Sequence, residues 1–516
     1  MRSRRVWTWC PVAILLLVRL SGAAEEPSKI DWRPYSDSVF EEAKRENRFV
    51  LLDLEAVWCH WCHVMDEITY RDPKVVGLIN ARYLAVKVDQ DSRPDISNRY
   101  EDYGWPATVV FNNDGSEIVK RQGYLPPKPM ASMLQAIIDD PSPGPSIEKE
   151  AAVEPGDGKG LDAEMRQKLP QVLRDDYDQK NHGWGTVQKF LDWDVIEYCL
   201  AQTLAGDKDF ERMARETLDA QRQLIDPVWG GVSQYSTDGD WVHPHFEKIM
   251  QFQAENLRIY AEAYALWKEP TYLDAAQKIH GYLRNFLTSP DGAFYTSQDA
   301  DLKQGEHSAE YFALNDAERR KLGVPRVDQH IYTRENGWAI NALATLYGVT
   351  GDKTALAAAT RAAEWIIAHR SLPGGEFRHD EKDAAGPFLG DNVYLARAFL
   401  TLYEVTADRQ WLQHAEETAK FAEETFRGTV GYLSSKKPLG TRLEPKPQVD
   451  ENTAFARLTN LLGHYTGNEK FHAQAEHAMN YLAAPGVAKK RGFLVGGILL
   501  ADHELNTPPL HLTVVG

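Results

Sequence analysis

Apolar positions along the chain follow two different patterns that meet near residue 140. In the first region, 25–140, short apolar runs at 49–54, 83–88 and 108–111 are typical of strands. A turn after the third run leads into another short run at 117–120, so these two runs are predicted to form a hairpin. Strands that alternate with helical segments indicate an α/β domain.

From residue 161 onward the pattern changes to pairs of amphipathic helices that repeat along the chain. Each pair is a helix, a short polar turn and a second helix, followed by a loop with glycine. A helical hairpin cannot bury its apolar face alone, so such units stack on one another. Six hairpins that close into a ring predict an all-α (α/α)6 toroid over 161–500, and an open superhelix is the alternative. Five hairpins lie at 198–224, 260–287, 343–367, 400–426 and 458–483, and a helix at 161–176 contributes a sixth unit.

Two further segments differ from both patterns. Residues 141–160 are rich in proline, glycine and polar residues, which is typical of a linker because such a composition buries little surface. The last residues, 501–516, are expected to form a strand-like tail, with the strand itself at 510–516. Because that strand would stop where another element should begin, a C-terminal truncation stays open.

The first 24 residues have the features of an export signal. Arg2, Arg4 and Arg5 precede an apolar run over 6–18, and small residues at 21–24 offer a cleavage site. The run is shorter than the roughly 20 apolar residues that span a bilayer. We therefore predict an exported protein, periplasmic or secreted, that contacts a membrane only if the signal stays uncleaved.

Composition narrows the classes of function. A formal charge of −17 argues against a nucleic-acid partner, because phosphate contacts require clustered Lys and Arg. Of the four cysteines, Cys10 would leave with the signal, and Cys199 lies alone in a helical pattern, where a buried apolar role is expected. Cys59 and Cys62 are the one close pair, and this spacing favours a catalytic disulfide over a structural one. No cofactor and no metal are predicted.

The CHWC segment at 59–62 has the spacing that thiol–disulfide exchange requires. One thiolate attacks a disulfide, the second thiol resolves the mixed disulfide, and a helix N-terminus lowers the pKa of the attacking thiol. Cys59 follows a predicted strand and precedes a helical pattern over 60–68. Asp53 is a carboxylate inside that apolar strand, where burial without a role is costly. Pro106 stands just before the next strand, where a cis proline would present backbone to a substrate chain.

The first region resembles the thioredoxin superfamily, on the segment VLLDLEAVWCHWCH. The resemblance implies Cys59 as nucleophile, Cys62 as resolving thiol, Asp53 as proton relay and Pro106 as the cis proline.

The dipeptide His60-Trp61 departs from the Gly-Pro of thioredoxin itself. A histidine at this place is expected to stabilise the thiolate and make the pair more oxidising, while Trp61 restricts access. Two alternatives stay open: half of a zinc site, with His60 and His63 as further ligands, and a redox-inert module that only binds.

Polar residues of the second region concentrate in the loops after the second and third hairpins. Glycosidic hydrolysis requires two carboxylates facing each other across roughly 6–10 Å, whereas an epimerase would use histidines as acid and base. Many such acids are also ordinary helix caps, and two histidines without a third spaced ligand argue weakly for a metal. The residues predicted to bind a substrate at the toroid mouth are Tyr235, His243, His245, Glu247, Asp299 and Asp301, and further acids near later loop-to-helix junctions are Asp328, Glu335, Asp391, Asp450 and Glu451.

The whole arrangement resembles the spermatogenesis-associated thioredoxin-like proteins and their bacterial relatives, on the segments WCHWCHVM, WVHPHFEKIM and GAFYTSQDAD. The resemblance implies a thioredoxin-like domain joined to a toroid similar to N-acylglucosamine 2-epimerases and six-hairpin glycosidases, and it implies no settled reaction. The leading hypothesis is an exported thiol–disulfide oxidoreductase that acts on protein thiols or disulfides, with a toroid that binds a substrate or partner. The alternatives are a carbohydrate-active enzyme with an accessory thioredoxin-like domain, and a non-catalytic binding protein.

Overall fold

A computed structural model describes residues 29–147, 153–156, 159–436 and 443–510. The predicted export signal at 1–24 and residues 511–516 of the predicted terminal strand lie outside these ranges. Within them, no helix combines the length and apolar character that crossing a bilayer requires.

The N-terminal region is the expected α/β domain around one five-stranded sheet. Its strand order is β1-β3-β2-β4-β5, in which β1, β3 and β2 are parallel and the hairpin β4–β5 is antiparallel. In chain order the elements are β1 (Trp32–Arg33), α1 (Asp37–Glu46), β2 (Phe49–Glu55), α2 (His60–Val64), α3 (Pro73–Arg82), β3 (Tyr83–Asp89), α4 (Pro94–Ser97), β4 (Ala107–Phe111), β5 (Glu117–Gln122) and α5 (Pro127–Asp139).

Both faces of the central strand β2 are covered, which explains its nearly continuous apolar run. Val50, Leu52 and Leu54 pack against α1 on one face, whereas Phe49 and Leu51 join the cluster under α3 and α5 on the other. Successive side chains of a strand point to opposite faces, so each face receives every second residue.

The second region is a closed ring of helical hairpins, as predicted. Six inner helices contact one another in the cyclic order α7, α9, α13, α15, α17, α20, and back to α7. Each packs against an outer partner: α8, α10, α14, α16, α18 and α6 in the same order. The longer helices are α6 (Ala163–Asp175), α7 (Trp193–Leu204), α8 (Lys208–Gln221), α9 (Met250–Trp267), α10 (Pro270–Tyr282), α13 (Thr333–Thr350), α14 (Lys353–Arg370), α15 (Leu389–Thr406), α16 (Arg409–Phe426), α17 (Val449–Thr466), α18 (Glu469–Leu482) and α20 (Gly496–Asn506), and the short ones are α11 (Ala309–Phe312), α12 (Asp316–Leu322) and α19 (Pro485–Ala488).

Ring closure corrects the prediction for the C-terminal end of the chain. Residues 501–506 were expected in a strand-like tail, but they complete α20, which packs between α7 and α17 and pairs with α6. The sixth hairpin therefore joins the two ends of the toroid. This helix could not be recognised from the sequence, because its first seven residues are all buried and therefore show no polar stripe of helical period.

The thioredoxin-like domain lies on the mouth of the ring, the end at which the loops before the inner helices gather. Loops that precede α9, α13, α15 and α17 all contact it. These loops carry short two-residue strands, β6 (Tyr235–Ser236), β7 (Pro244–His245), β8 (Lys248–Ile249), β9 (Ser297–Gln298) and β10 (Val327–Asp328).

Candidate active site at the contact between the two domains

The two cysteines lie where β2 passes into α2. Cys59 is the residue before the helix, and its Sγ accepts a hydrogen bond from the backbone N–H of Cys62 at 3.1 Å. The two sulfur atoms are joined in a disulfide. α2 continues into a wider turn, Met65–Thr69, so the helical segment is longer than α2 alone. N–H groups at a helix start favour the thiolate form of a sulfur held there once the disulfide opens.

Asp53 is buried in β2, next to a lysine on the neighbouring strand. Lys87 is its direct partner in the β2–β3 register, and the Lys87 Nζ lies 3.5 Å from Asp53 Oδ2. The same ammonium contacts Glu55 at 2.8 Å and Asp66 at 2.6 Å. Burial raises the pKa of Asp53 to about 7, because Lys87 only partly offsets the loss of hydration. Asp53 therefore exchanges a proton near neutral pH.

Pro106 follows a cis peptide bond with Trp105 and immediately precedes β4. The Trp105 ring packs on an apolar cluster that contains both cysteines. Ile249 and Phe252 of the toroid belong to the same cluster, so both domains build the surroundings of the disulfide.

Asp301 of the toroid binds both histidines that flank the cysteine pair. The His60 Nδ1 lies 2.7 Å from Asp301 Oδ1, and the His63 Nδ1 lies 3.1 Å from Asp301 Oδ2. Asp299 stands beside them, with Oδ1 at 3.7 Å from His63 Nδ1. All four side chains are buried, so these charged hydrogen bonds are little screened by solvent.

These contacts give Asp301 and Asp299 different pKa values. Burial would raise the pKa of Asp301, but hydrogen bonds from His60 and His63 outweigh it and lower that pKa to about 2. Asp299 lacks equal compensation, and burial raises its pKa to about 7. Burial would lower the pKa of His63, yet Asp301 and Asp299 raise it above its usual value. Asp301 is thus an anion at neutral pH, and it favours the cationic form of His63.

Glu247, before α9, approaches the same motif from the other side. Its Oε1 accepts a hydrogen bond from the backbone N–H of His60 at 3.4 Å, while Oε2 has no hydrogen-bond partner among the described residues. His245 lies 3.8 Å from Oε1, and its ring stacks on Tyr235 with centroids 4.4 Å apart. Tyr235, His245 and Glu247 therefore form one group next to the CHWC segment.

His243 lies apart from this group. Its side chain is 53% exposed, and its Nδ1 contacts the Asp240 carboxylate at 3.0 Å. Five of the six predicted toroid residues, all but His243, therefore lie next to the cysteine motif. The prediction had placed them at an open mouth of the ring. Sequence reasoning missed Lys87, whose signal was a lysine inside an otherwise apolar strand.

A cavity of about 520 Å³ opens beside Cys59 between the two domains. Trp58, Trp61 and Trp105 line it from the thioredoxin-like side, and Tyr235 and Glu247 line it from the toroid. A volume of this size fits a small ligand. Access to the disulfide therefore runs through a space that neither domain forms alone.

A second group of contacts covers the rest of the ring mouth. The His379 Nε2 lies 2.7 Å from the backbone oxygen of Asp91, and its Nδ1 lies 2.9 Å from Asp391. Asp91 in turn accepts a hydrogen bond from the indole of Trp58 at 2.8 Å. Asn98 donates to Glu451 at 3.1 Å. Two cavities along the ring axis measure about 90 and 200 Å³.

Two groups among the described residues bring three potential metal ligands within 4.8 Å of one another: His63 with Asp299 and Asp301, and Asp53 with Glu55 and Asp66. Hydrogen-bond donors already occupy both groups of potential ligands. Imidazole N–H groups reach Asp301 in the first group, and the Lys87 ammonium contacts all three acids of the second. The zinc alternative gains no support here, because the cysteines bond to each other and the rings of His60 and His63 face Asp301.

Comparison with known proteins agrees with this architecture. Residues 20–139 match the model of a family described as Thioredox_DsbH, protein of unknown function, DUF255. Spermatogenesis-associated protein 20 of Homo sapiens is 22% identical, over 84% of this chain and 73% of that protein. A crystal structure of D-mannose isomerase superposes with a TM-score of 0.53 at 13% identity, covering 68% of this chain and 98% of that one. Cellobiose 2-epimerase from Spirochaeta thermophila superposes with a TM-score of 0.51 at 12% identity, over 66% and 97%.

At such identities the two solved structures show the fold alone. They support the ring of helical hairpins, and the family match supports the thioredoxin-like domain. The chain resembles the spermatogenesis-associated thioredoxin-like proteins: a thioredoxin-like domain followed by an (α/α)6 toroid.

Proposed function

We propose that the protein is a thiol–disulfide oxidoreductase that uses Cys59 and Cys62, and that the toroid completes its substrate site. The observation that carries the proposal is the cavity beside Cys59, whose walls come from both domains. A module that only bound a partner through its surface would not require a cysteine pair next to a cavity between the two domains.

Each residue at the pair has a role in the proposed exchange. Cys59, at the helix start, acts as the attacking thiolate, and Cys62, whose N–H already contacts Sγ of Cys59, resolves the mixed disulfide. Asp53, with a pKa of about 7, accepts the proton of the resolving thiol and returns it later. Pro106 and Trp105 hold the backbone that faces the substrate beside the pair.

His60, His63 and Asp301 favour the thiolate in this scheme. The Asp301 carboxylate keeps the His60 ring in place next to Cys59 through a 2.7 Å hydrogen bond, and His63, whose pKa Asp301 and Asp299 raise, adds positive charge next to Cys62. The toroid thereby acts on the redox centre, in addition to lining the cavity.

The carbohydrate-active alternative has less support. Its sugar would have to enter the ring mouth, but the thioredoxin-like domain lies there and bonds to the loops before α13, α15 and α17. Two cavities along the ring axis, of about 90 and 200 Å³, fall below the range of roughly 300–1,000 Å³ that ligand pockets span.

Trapping a mixed disulfide tests the proposal. We expect reduced Cys62→Ser to form a stable adduct on Cys59 with 2-hydroxyethyl disulfide, detected by intact mass and peptide mapping, because the resolving thiol is missing. The matched variant Cys59→Ser should label Cys62 much more slowly, by roughly tenfold or more, since Cys62 lies inside the helix. Equal labelling of the two cysteines, or no labelling of either, would refute the assignment.

We also propose that the protein is exported, and this part of the proposal rests on the N-terminal sequence. The apolar run at 6–18 and the small residues at 21–24 support cleavage before Glu25. N-terminal sequencing of the protein from its native host would test it, and an intact Met1 would count against it.

A further inference from the structure

The described residues that line the cavity beside Cys59 supply a negative charge and no positive one. Glu247 is the only charged side chain among the described residues that line it, and neither lysine nor arginine faces it. The glutamate is 3% exposed, and its Oε2 has no hydrogen-bond partner within the described ranges. A buried carboxylate oxygen without a donor is costly, so this position favours a ligand that brings a donor or a positive charge.

Aromatic side chains form most of the remaining wall. Trp61 stacks on Tyr124 with centroids 5.7 Å apart, and Tyr235 stacks on His245. Faces of tryptophan and tyrosine attract cations through their ring quadrupole. A carboxylate among such rings selects an ammonium group over a neutral or anionic one of the same size. The aromatic side chains that line the cavity are Trp58, Trp61, Trp105, Tyr124, Phe190, Tyr235 and Phe252.

One cavity is shared by the Glu247 carboxylate and the Cys59 sulfur. Oε1 of Glu247 touches the amide of His60, the residue next to Cys59, and both Glu247 and Cys59 line the cavity.

We infer that the substrates are low-molecular-weight disulfides and thiols that carry an ammonium group near the sulfur, and that Glu247 selects their charge. This inference rests on the proposed function, since an inert cysteine pair would turn over no such compound.

The reaction conserves atoms and electrons. The Cys59 thiolate attacks one sulfur of the substrate disulfide, whose S–S bond breaks and releases one aminothiolate. Cys62 then attacks Sγ of Cys59 and releases the second. The two cysteines lose two electrons and two protons, and the substrate gains them as two aminothiols. Dithiothreitol, the reductant in the assay, returns the protein to its dithiol form.

The experiment compares two disulfides on the full-length chain. Cystamine carries two ammonium groups, and 2-hydroxyethyl disulfide is its neutral counterpart. For each compound, the rate for wild type is divided by the rate for Glu247→Gln, so that the intrinsic reactivity of the disulfide cancels. We expect the ratio for cystamine to exceed the ratio for the neutral disulfide by roughly tenfold, the value of one charge-assisted contact.

Asp238→Asn is the matched control. It removes one carboxylate from the same loop, but that side chain is 71% exposed, and asparagine tolerates the left-handed backbone at φ 61°. We expect its two ratios to agree within a factor of two. As a measurement independent of the variant's folding, n-propylammonium should slow cystamine reduction by wild type, while 1-propanol at the same concentration should not.

The outcomes separate this inference from the proposed function. If both disulfides are reduced but Glu247→Gln changes their rates equally and n-propylammonium has no effect, the charge selection is wrong and the oxidoreductase stands. If wild type reduces neither disulfide faster than dithiothreitol alone, both ideas fail.

Discussion

Three buried carboxylates near the disulfide differ in what compensates their charge. Asp301 receives two imidazole N–H groups, Asp53 shares one lysine with two other acids, and Glu247 leaves one oxygen without a partner among the described residues. The carboxylate group therefore has three environments: one lowers the pKa to about 2 in Asp301, one raises it to about 7 in Asp53, and one leaves an oxygen of Glu247 without a donor among the described residues.

Asp53→Asn should stabilise the protein at alkaline pH. Folding raises the pKa of Asp53 from 3.8 to about 7, so between these values the folded state holds a proton that the unfolded state has lost. The free energy of unfolding of wild type therefore falls as pH rises from about 4 to 7, and the loss is complete above 7. We expect the variant to be more stable than wild type by roughly 4 kcal/mol at pH 8 and equally stable near pH 4.

Urea unfolding at several pH values measures this difference. Asp291→Asn, at an exposed loop position, is the control and should show a small difference from wild type at every pH. A stability difference for Asp53→Asn that does not change with pH would show that Asp53 holds no such proton.

Single residues were predictable where the strand pattern constrains them. Asp53 stood out as a carboxylate in an apolar run, and Lys87 could have been paired with it from the parallel register of two predicted strands. The bond between His60 and Asp301 could not be predicted, because 241 residues separate them and polar loops have no periodicity from which to infer a contact.

A toroid helix was predictable from sequence when one of its sides is polar and the other is apolar. Outer helices such as α8 and α16 carry a polar stripe, so the predicted hairpin ends at 224 and 426 lie within a few residues of the helix ends at 221 and 426. The buried inner helices begin earlier than predicted, as α15 does at 389 instead of 400. α20 was missed because the first seven residues of this inner helix are buried and its sequence lacks that stripe. Pairing between the first and last helices follows only from closure of the ring.

Gly496→Ala should weaken the ring at its closing helix. A Cβ at Gly496 would clash with the backbone nitrogen and the Cα of Val195 in α7, and backbone cannot move aside as a flexible side chain can. We expect a loss of roughly 2 kcal/mol or more in the free energy of unfolding, measured with urea.

Gly281→Ala is the matched control, because that glycine also lies in a helix, α10, and a Cβ there would meet nothing within 4 Å. Alanine favours helix over glycine, so this variant should gain about 0.5–1 kcal/mol. Equal effects of the two substitutions would contradict the close packing of α20 on α7.

The two domains act as one unit because the thioredoxin-like domain covers the ring mouth. Their order along the chain was predictable from the change in apolar period near residue 140, whereas their docking was not. Sequence reasoning assigned the loop residues of the ring to an open mouth, since a toroid considered alone has one. In the folded chain, Asp301, Glu247 and His379 contact the first domain instead.

His379 makes this docking dependent on pH. Its two ring nitrogens face oxygen acceptors, the Asp391 carboxylate and the backbone carbonyl of Asp91, so both must carry a proton and the ring is cationic. Burial would lower the pKa of His379, but Asp391 raises it to about 9. A pKa raised above the unfolded value of about 6.5 stabilises the folded state fully below pH 6.5, and that contribution is lost as pH rises through 9.

His379→Gln removes this contribution and should make the docking independent of pH. We expect wild type to exceed the variant in free energy of unfolding by roughly 2–3 kcal/mol at pH 6, and expect the difference to shrink steadily to a small remainder at pH 10. Taking the difference between the two proteins at each pH cancels lysines and tyrosines that titrate in the same range. His369→Gln, at an exposed position, should differ little from wild type throughout. A difference between wild type and His379→Gln that stays constant from pH 6 to pH 10 would mean that the ring is neutral in the folded chain, and the bond from the toroid to Asp91 would then have to be made by an uncharged imidazole.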